Sequence, residues 1–214
     1  GVRLMVGFNR RFDPHFAALQ HRLAAGAIGR PELLVITSRD PQPPPPSYVA
    51  ASGGLFRDMM IHDLDMARFL LDEEPVELFA AGSCLIDPGI GAAGDVDTAT
   101  VTLKTASGLL CVITNSRRAT YGYDQRIEIH GEKGLLQAGN VTPSTLVFAD
   151  SSGFLTDPAL PFFLERYAAA YRAELDSFIS GATSPSGEDG LAALLLAGAA
   201  TESARSGRAI RLAG

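Results

Sequence analysis

Between residues 76 and 148 the chain is a succession of short strand-forming runs separated by turns, and this stretch constrains the fold more than any other. The runs cover 76–86, 96–104, 109–116 and 124–130, with shorter pieces reaching Phe148. Ala106-Ser107-Gly108 and Gly131-Glu132-Lys133-Gly134 have the composition of hairpin turns, and strands joined so tightly must run antiparallel. In the second run Thr98, Thr100, Thr102 and Lys104 alternate with Ala99, Val101 and Leu103, so one face is polar and the other apolar. A sheet of this kind buries its apolar face under helices. Its other face meets solvent or another subunit.

The helices that supply this cover lie on either side of the strand region. Asp13-Pro14 is a helix start, with Asp as N-cap and Pro at the first helical position; Phe16, Leu19 and Leu23 supply the apolar stripe, and Gly26 or Gly29 ends it. Residues 32–39 read as a strand. Pro41 and the run 43–46 can continue neither a central strand nor a helix, which predicts a rigid irregular loop leading to Ser52. At the other end, Phe162, Leu164, Tyr167, Tyr171, Leu175 and Phe178 stand at helical spacing within 161–180. A second helix over 188–205 stops at Gly207, and the run 209–212 closes the chain. The expected class is α+β: a large, mostly antiparallel open sheet with helices on one face, forming a single domain over residues 1–214.

Composition narrows the function classes. The net charge is −6 and no basic cluster is present, which argues against a nucleic-acid partner. The longest apolar stretch, 191–200, is far too short to cross a bilayer, and no targeting sequence is visible. Cys84 and Cys111 both lie in apolar strand-like runs and read as buried free thiols, which makes the cytoplasm the expected location. The chain opens on the strand-like run Gly1-Val2-Arg3-Leu4-Met5-Val6-Gly7-Phe8 without an initiator methionine, as a piece of something longer would.

Chemistry concentrates in 52–65, Ser-Gly-Gly-Leu-Phe-Arg-Asp-Met-Met-Ile-His-Asp-Leu-Asp. Read as one helix, this places Asp58, His62 and Asp65 in a stripe roughly 60° wide, beside a broad apolar arc. Asp58 and His62, four apart, can hold an imidazole in one orientation for general acid–base work. The alternatives are a surface stripe, or a buried histidine satisfied by its i−4 carboxylate. Asp65 reads as structural, bonding the loop before the helix. Gly89-Ile90-Gly91-Ala92-Ala93-Gly94 matches the dinucleotide signature letter for letter, but it stands between Asp87-Pro88 and a strand. It reads as a hairpin loop with no helix to meet a pyrophosphate.

The Gly-Gly-x-x-x-Asp-x-x-x-His segment resembles the C-terminal domain of the glucose–fructose oxidoreductase/inositol dehydrogenase superfamily. Residues 6–13, Val-Gly-Phe-Asn-Arg-Arg-Phe-Asp, look like that family's passage out of its Rossmann domain, and Tyr121-Gly122-Tyr123-Asp124 resembles a segment of its inositol 2-dehydrogenase branch. The resemblance runs along essentially the whole chain. It implies that residues 1–12 include the connection from an N-terminal Rossmann domain absent here. It also implies oxidation of a polyol or sugar hydroxyl with NAD or NADP, bound mainly by that absent domain. His62 would take the hydroxyl proton, with Asp58 contacting substrate and orienting His62. Asn9, Arg10, Asp40 and Tyr123 would line the substrate pocket. For three of these a structural alternative stays open: Arg10 pairing a carboxylate, Asp40 capping a turn, Tyr123 packing on the sheet. The family's Glu-Lys-Pro lysine is missing, and Lys104 and Lys133, the only lysines, stand in strand or turn settings. The isolated chain is expected to be inactive and to form a homodimer or homotetramer through the open sheet face.

Two other classes compete. Asp58, His62, Asp63 and Asp65 are the residue types of a metal hydrolase, but His15, His21 and His130 have no ligand spacing, so no metal is expected. A non-catalytic scaffold of the same fold would share every packing feature. Binding of a polyol that depends on Asp58 and His62 separates it from the enzyme.

Overall fold

The computed structural model describes residues 2–212. After a 3-10 turn at Asn9–Phe12 come α1 (Pro14–Ala24) and β1 (Pro31–Arg39), then three helices, α2 (Pro46–Ser52), α3 (Leu55–Asp58) and α4 (Ile61–Leu71). The β-rich middle holds β2 (Pro75–Ser83), the one-turn α5 (Pro88–Ala92), β3 (Thr98–Thr105), β4 (Leu110–Ser116), β5 (Asp124–Gly131) and β6 (Gly134–Ala138). A separate hairpin, β7 (Val147–Asp150) and β8 (Gly153–Thr156), precedes α6 (Phe163–Arg166), α7 (Ala168–Ile179), α8 (Gly187–Ser206) and β9 (Ile210–Arg211).

Seven strands form one sheet in the order β6-β5-β1-β4-β3-β2-β9. β3 with β4 and β5 with β6 pair antiparallel, as their short turns require, and β2 pairs antiparallel with β3 across the longer connection that carries α5. One pair is parallel. β1 inserts between β4 and β5 and runs with β4, Val35 opposite Val112 and Arg39 opposite Ser116. That insertion brings the end of β1 beside the start of the β4–β5 connection, and the candidate site is built at this junction.

The two-residue alternation in β3 sorts the faces: Ala99, Val101 and Leu103 are buried and Thr100, Thr102 and Lys104 exposed. Over the buried face, α4 packs on β1 and on α8, and α8 packs on β2. Leu34, Ile36, Leu64, Met66, Leu78, Val101, Ile113 and Leu196 share one core. The helix starts follow the expected chemistry. Asp13 caps α1 by accepting from the His15 and Phe16 N–H groups, and Ser186 and Asp189 form a reciprocal capping box on α8, which ends at left-handed Gly207.

Several expectations need correction. Residues 2–8 form no strand; Val6 instead donates one backbone bond to Pro185 and lies against Gly190 of α8. The proline loop ends early, because Pro46 at the first helical position starts α2. The helix anticipated over 161–180 breaks at Tyr167, which has left helical geometry at φ −110° and ψ 15°. Cys84 lies past the end of β2 and is exposed, whereas Cys111 is buried as expected. The dinucleotide look-alike contains a helical turn, α5, and is not a plain hairpin loop. Its Gly89 N–H is already taken by the Asp87 carboxylate at 2.8 Å, so no free N-terminus is offered to a phosphate. Among the described residues, no helix is long and apolar enough to cross a membrane.

Candidate active site

A cavity of about 680 Å³ opens where the 3-10 turn, the proline loop, α3, α4 and the aromatic residues before α7 converge. Asn9, Arg10, Asp40, Asp58, His62 and Tyr123 all line it. The six residues singled out in the sequence, scattered over more than a hundred positions, therefore meet at one place.

Asp58 and His62 are nonetheless not partners. The i→i−4 ladder is disturbed between them, because the Met60 N–H reaches back to the Leu55 carbonyl and the Asp63 N–H reaches only to Met60. The turn buries Met59 and Met60 in place of continuing one straight helix. Both Asp58 oxygens are taken elsewhere. Tyr48 donates its hydroxyl to Oδ1 at 2.7 Å, and Arg117 Nη2 donates to Oδ2 at 3.0 Å. The reading in which Asp58 orients His62 by a direct bond is thus corrected: the ring is set by packing, with the Phe8 ring edge-on at 5.9 Å. His62 Nδ1 is buried without a hydrogen-bond partner among the described residues. Burial, reinforced by the Arg10 cation, pushes the imidazole pKa down to about 3. His62 is neutral, the form that can accept a proton.

Arg10 also pairs a carboxylate, as one alternative held. Its guanidinium donates to Asp63 and to Ser38 Oγ, the latter at 3.0 Å. Asp63, fully buried, further accepts from Ser38 Oγ at 2.6 Å and from Asn115 Nδ2 at 2.8 Å. This network lies behind Arg10, its member in the cavity lining. Its charges compensate one another, which is the condition for burying them at all. Asp65 is structural, but it bonds Arg11 of the 3-10 turn at 2.9 Å and not the loop before the helix.

Asp40 lies at the cavity edge, where Arg117 Nη1 reaches its Oδ2 at 3.4 Å. Burial raises the Asp40 pKa against the pull of that arginine. Tyr123 is buried beside Phe162 and Tyr167 with its ring edge-on to each, and burial raises its hydroxyl pKa. Sequence reasoning passed over Arg117, Tyr48, Gln42 and the aromatic wall of Phe162, Phe163, Tyr167 and Tyr171. Arg117 meets Asp40 and Asp58 across 77 and 59 positions, so no local pattern marks it; the parallel register of β1 and β4 is the signal that would have. The described residues contain no cluster of three metal-ligating side chains.

The arrangement combines a neutral imidazole, two carboxylates braced by one buried arginine, and an unpartnered Asn9 amide. Such a set of fixed donors and acceptors around an apolar wall suits a small molecule with several hydroxyl groups.

Comparisons with known proteins place the chain in a family. Residues 16–137 match the family model described as GFO/IDH/MocA C-terminal domain. The chain is 55% identical over 217 residues to inositol 2-dehydrogenase of Rhizobium meliloti strain 1021, covering 99% of this chain and 66% of that protein. A crystal structure of a myo-inositol dehydrogenase from Corynebacterium glutamicum superposes with a TM-score of 0.95 at 50% identity, over 98% of this chain and 65% of that one. The scyllo-inositol dehydrogenase of Lactobacillus casei, solved with NAD(H) and scyllo-inositol, superposes with a TM-score of 0.83 at 27% identity, over 96% of this chain and 63% of that one. The chain thus spans slightly less than two thirds of each of these relatives.

Proposed function

Because the chain belongs to the GFO/IDH/MocA C-terminal domain family, we propose that it is the substrate-binding and catalytic half of an NAD-dependent inositol 2-dehydrogenase, oxidising one hydroxyl of a cyclic polyol to a ketone. The observation that carries this reading is the convergence of His62, Asp58, Asp40, Asn9, Arg10 and Tyr123 on one cavity. Its volume, about 680 Å³, exceeds what one six-membered polyol fills, and the Asn9 amide stands unpartnered in its lining. Those features fit a nicotinamide ring beside the polyol. The dinucleotide phosphates find no cradle at the look-alike glycine loop, which fits a cofactor held mainly by a further domain.

The nicotinamide, when bound, supplies the hydride acceptor. The residues of this chain do the rest. As the reacting carbon is oxidised its hydroxyl acidifies, and neutral His62 accepts the proton. Asp58 and Asp40, braced by Arg117, accept hydrogen bonds from neighbouring hydroxyls and hold the polyol in the cavity. Both cavity arginines are already engaged by carboxylates, so the site presents no free cation to an acidic substrate. A neutral polyol is the matching class. The open sheet face supports self-association as a homodimer or homotetramer, and the free thiols Cys84 and Cys111 support a cytoplasmic location.

NADH formation from myo-inositol and NAD, measured on the full-length protein that carries this chain, tests the proposal. His62→Ala should lower kcat by about a hundredfold or more. An active wild type beside an unimpaired variant would make His62 structural. A wild type inactive on inositols and related sugars would favour the scaffold reading.

A further inference from the structure

The look-alike glycine loop, residues 87–97, is bound to the candidate site at two points. At the first, the Asp95 carboxylate accepts the Leu55 N–H through Oδ2 at 2.9 Å and Oδ1 at 3.1 Å. Leu55 opens the short α3 that ends in Asp58, and Gly54 before it has no side chain with which to cap the helix. The cap therefore comes from forty residues away, and it brings a negative charge to the helix start. Gly54 is in the left-handed region at φ +85°, and a Cβ there would stand 2.6 Å from Asp95 Oδ1. At the second point, the Asp97 carbonyl accepts the Arg117 N–H at 2.8 Å. The loop itself is locked, because the buried Asp97 carboxylate accepts N–H groups from Leu85, Ile86 and Asp87 at 2.8, 2.7 and 3.0 Å.

Asp58 and Arg117 thus hang from the same loop by different strings, and they bond each other at 3.0 Å inside the cavity. We propose that Asp95 is a positioning residue for substrate binding: it fixes the Leu55–Asp58 turn so that the Asp58 carboxylate meets both Arg117 and the bound polyol. The Leu55 backbone is held on both sides, its N–H by Asp95 and its carbonyl by the Met59 and Met60 N–H groups at 3.0 and 2.9 Å. Releasing one end loosens the turn that carries Asp58 while leaving His62, on α4, seated in the core. This assignment rests on the polyol-site reading given above.

The test compares Asp95→Ala, Asp95→Asn and Gly54→Ala with wild type in the full-length protein. It measures kcat and KM for myo-inositol with NAD, and amide hydrogen exchange over residues 55–60. Asp95→Ala should raise KM roughly five- to tenfold and leave kcat within about twofold, since ground-state binding is lost and proton transfer is not. Asp95→Asn should recover most of the affinity, because its carbonyl oxygen still accepts the Leu55 N–H. Gly54→Ala should reproduce the Asp95→Ala result by pushing the carboxylate away, and it replaces that variant if the latter does not fold. Exchange over 55–60 should quicken in both alanine variants and not in Asp95→Asn. Unchanged KM in the alanine variants, or an asparagine variant as impaired as Asp95→Ala, overturns the proposal. If wild type turns over no polyol, the functional reading fails by itself. Exchange then decides the positioning role, and unaltered protection over 55–60 removes it.

Discussion

His62 sits among groups that disfavour its charged form: protein on most sides and the Arg10 guanidinium nearby. In the unfolded chain the imidazole titrates near its ordinary 6.5, and in the native state near 3. Between those values the unfolded chain binds a proton that the native state refuses. The stability this group contributes is therefore fully present above pH 6.5 and is lost as pH falls toward 3. Denaturant unfolding of wild type and His62→Gln at about pH 7.5 and about pH 5 checks the sign: wild type should lose more stability on acidification than the variant. Equal losses would mean that native His62 takes up the proton. The same residue shows how far a sequence reaches. That His62 borders a pocket wall was legible from its apolar surroundings. That its neighbour of influence is Arg10, 52 positions away, and not Asp58 was not, because the i, i+4 argument assumes an unbroken ladder across Met59 and Met60.

Among the elements, the parts with local causes were the legible ones. The Asp13-Pro14 start of α1, the Gly207 stop of α8 and the β3–β4 and β5–β6 hairpins each depend on a few adjacent residues, and each stands where expected. The place of β1 did not follow, since a strand inserted between β4 and β5 pairs with both through contacts dozens of residues distant. Arg117 was lost with it. Helix caps differ in what they tie together, and their removal should differ in cost. Ser186 caps α8 with a partly exposed side chain, so Ser186→Ala should cost about 1 kcal/mol. Asp13 caps α1 and also pairs with Arg166 of α6, with both side chains almost fully buried. Asp13→Ala leaves that cation buried and unpaired, and should cost about 3–5 kcal/mol. Urea unfolding midpoints measure the pair. Equal losses would mean that Arg166 finds another partner or reaches water.

At the scale of the whole molecule, the sheet is covered by helices on one side only. Phe79 and Leu110 stand on the uncovered side with 45% and 41% of their surfaces exposed, Phe79 opposite Thr102 and Leu110 opposite Lys104. They lie on neighbouring sides of β3: Leu110 adjoins the half-buried Val112 and Val35, while Phe79 stands across Thr102 from Val112, so an apolar patch and one phenyl ring flank a threonine stripe. Scattered apolar residues are normal on a protein surface, but apolar side chains gathered on an uncovered sheet face offer a surface that an isologous interface can use. A twofold pairing of this face would stack two sheets and leave the cavity, which opens beyond the ends of β1 and β4, free for substrate. Phe79→Asp combined with Leu110→Asp should therefore yield a smaller assembly in sedimentation or light scattering. Its circular dichroism should match wild type, since neither side chain enters the core. Substrate affinity per protomer should be preserved, because the pairing face and the cavity share no residue. A wild type that sediments as a monomer would refute self-association through this face, and the patch would then need another partner.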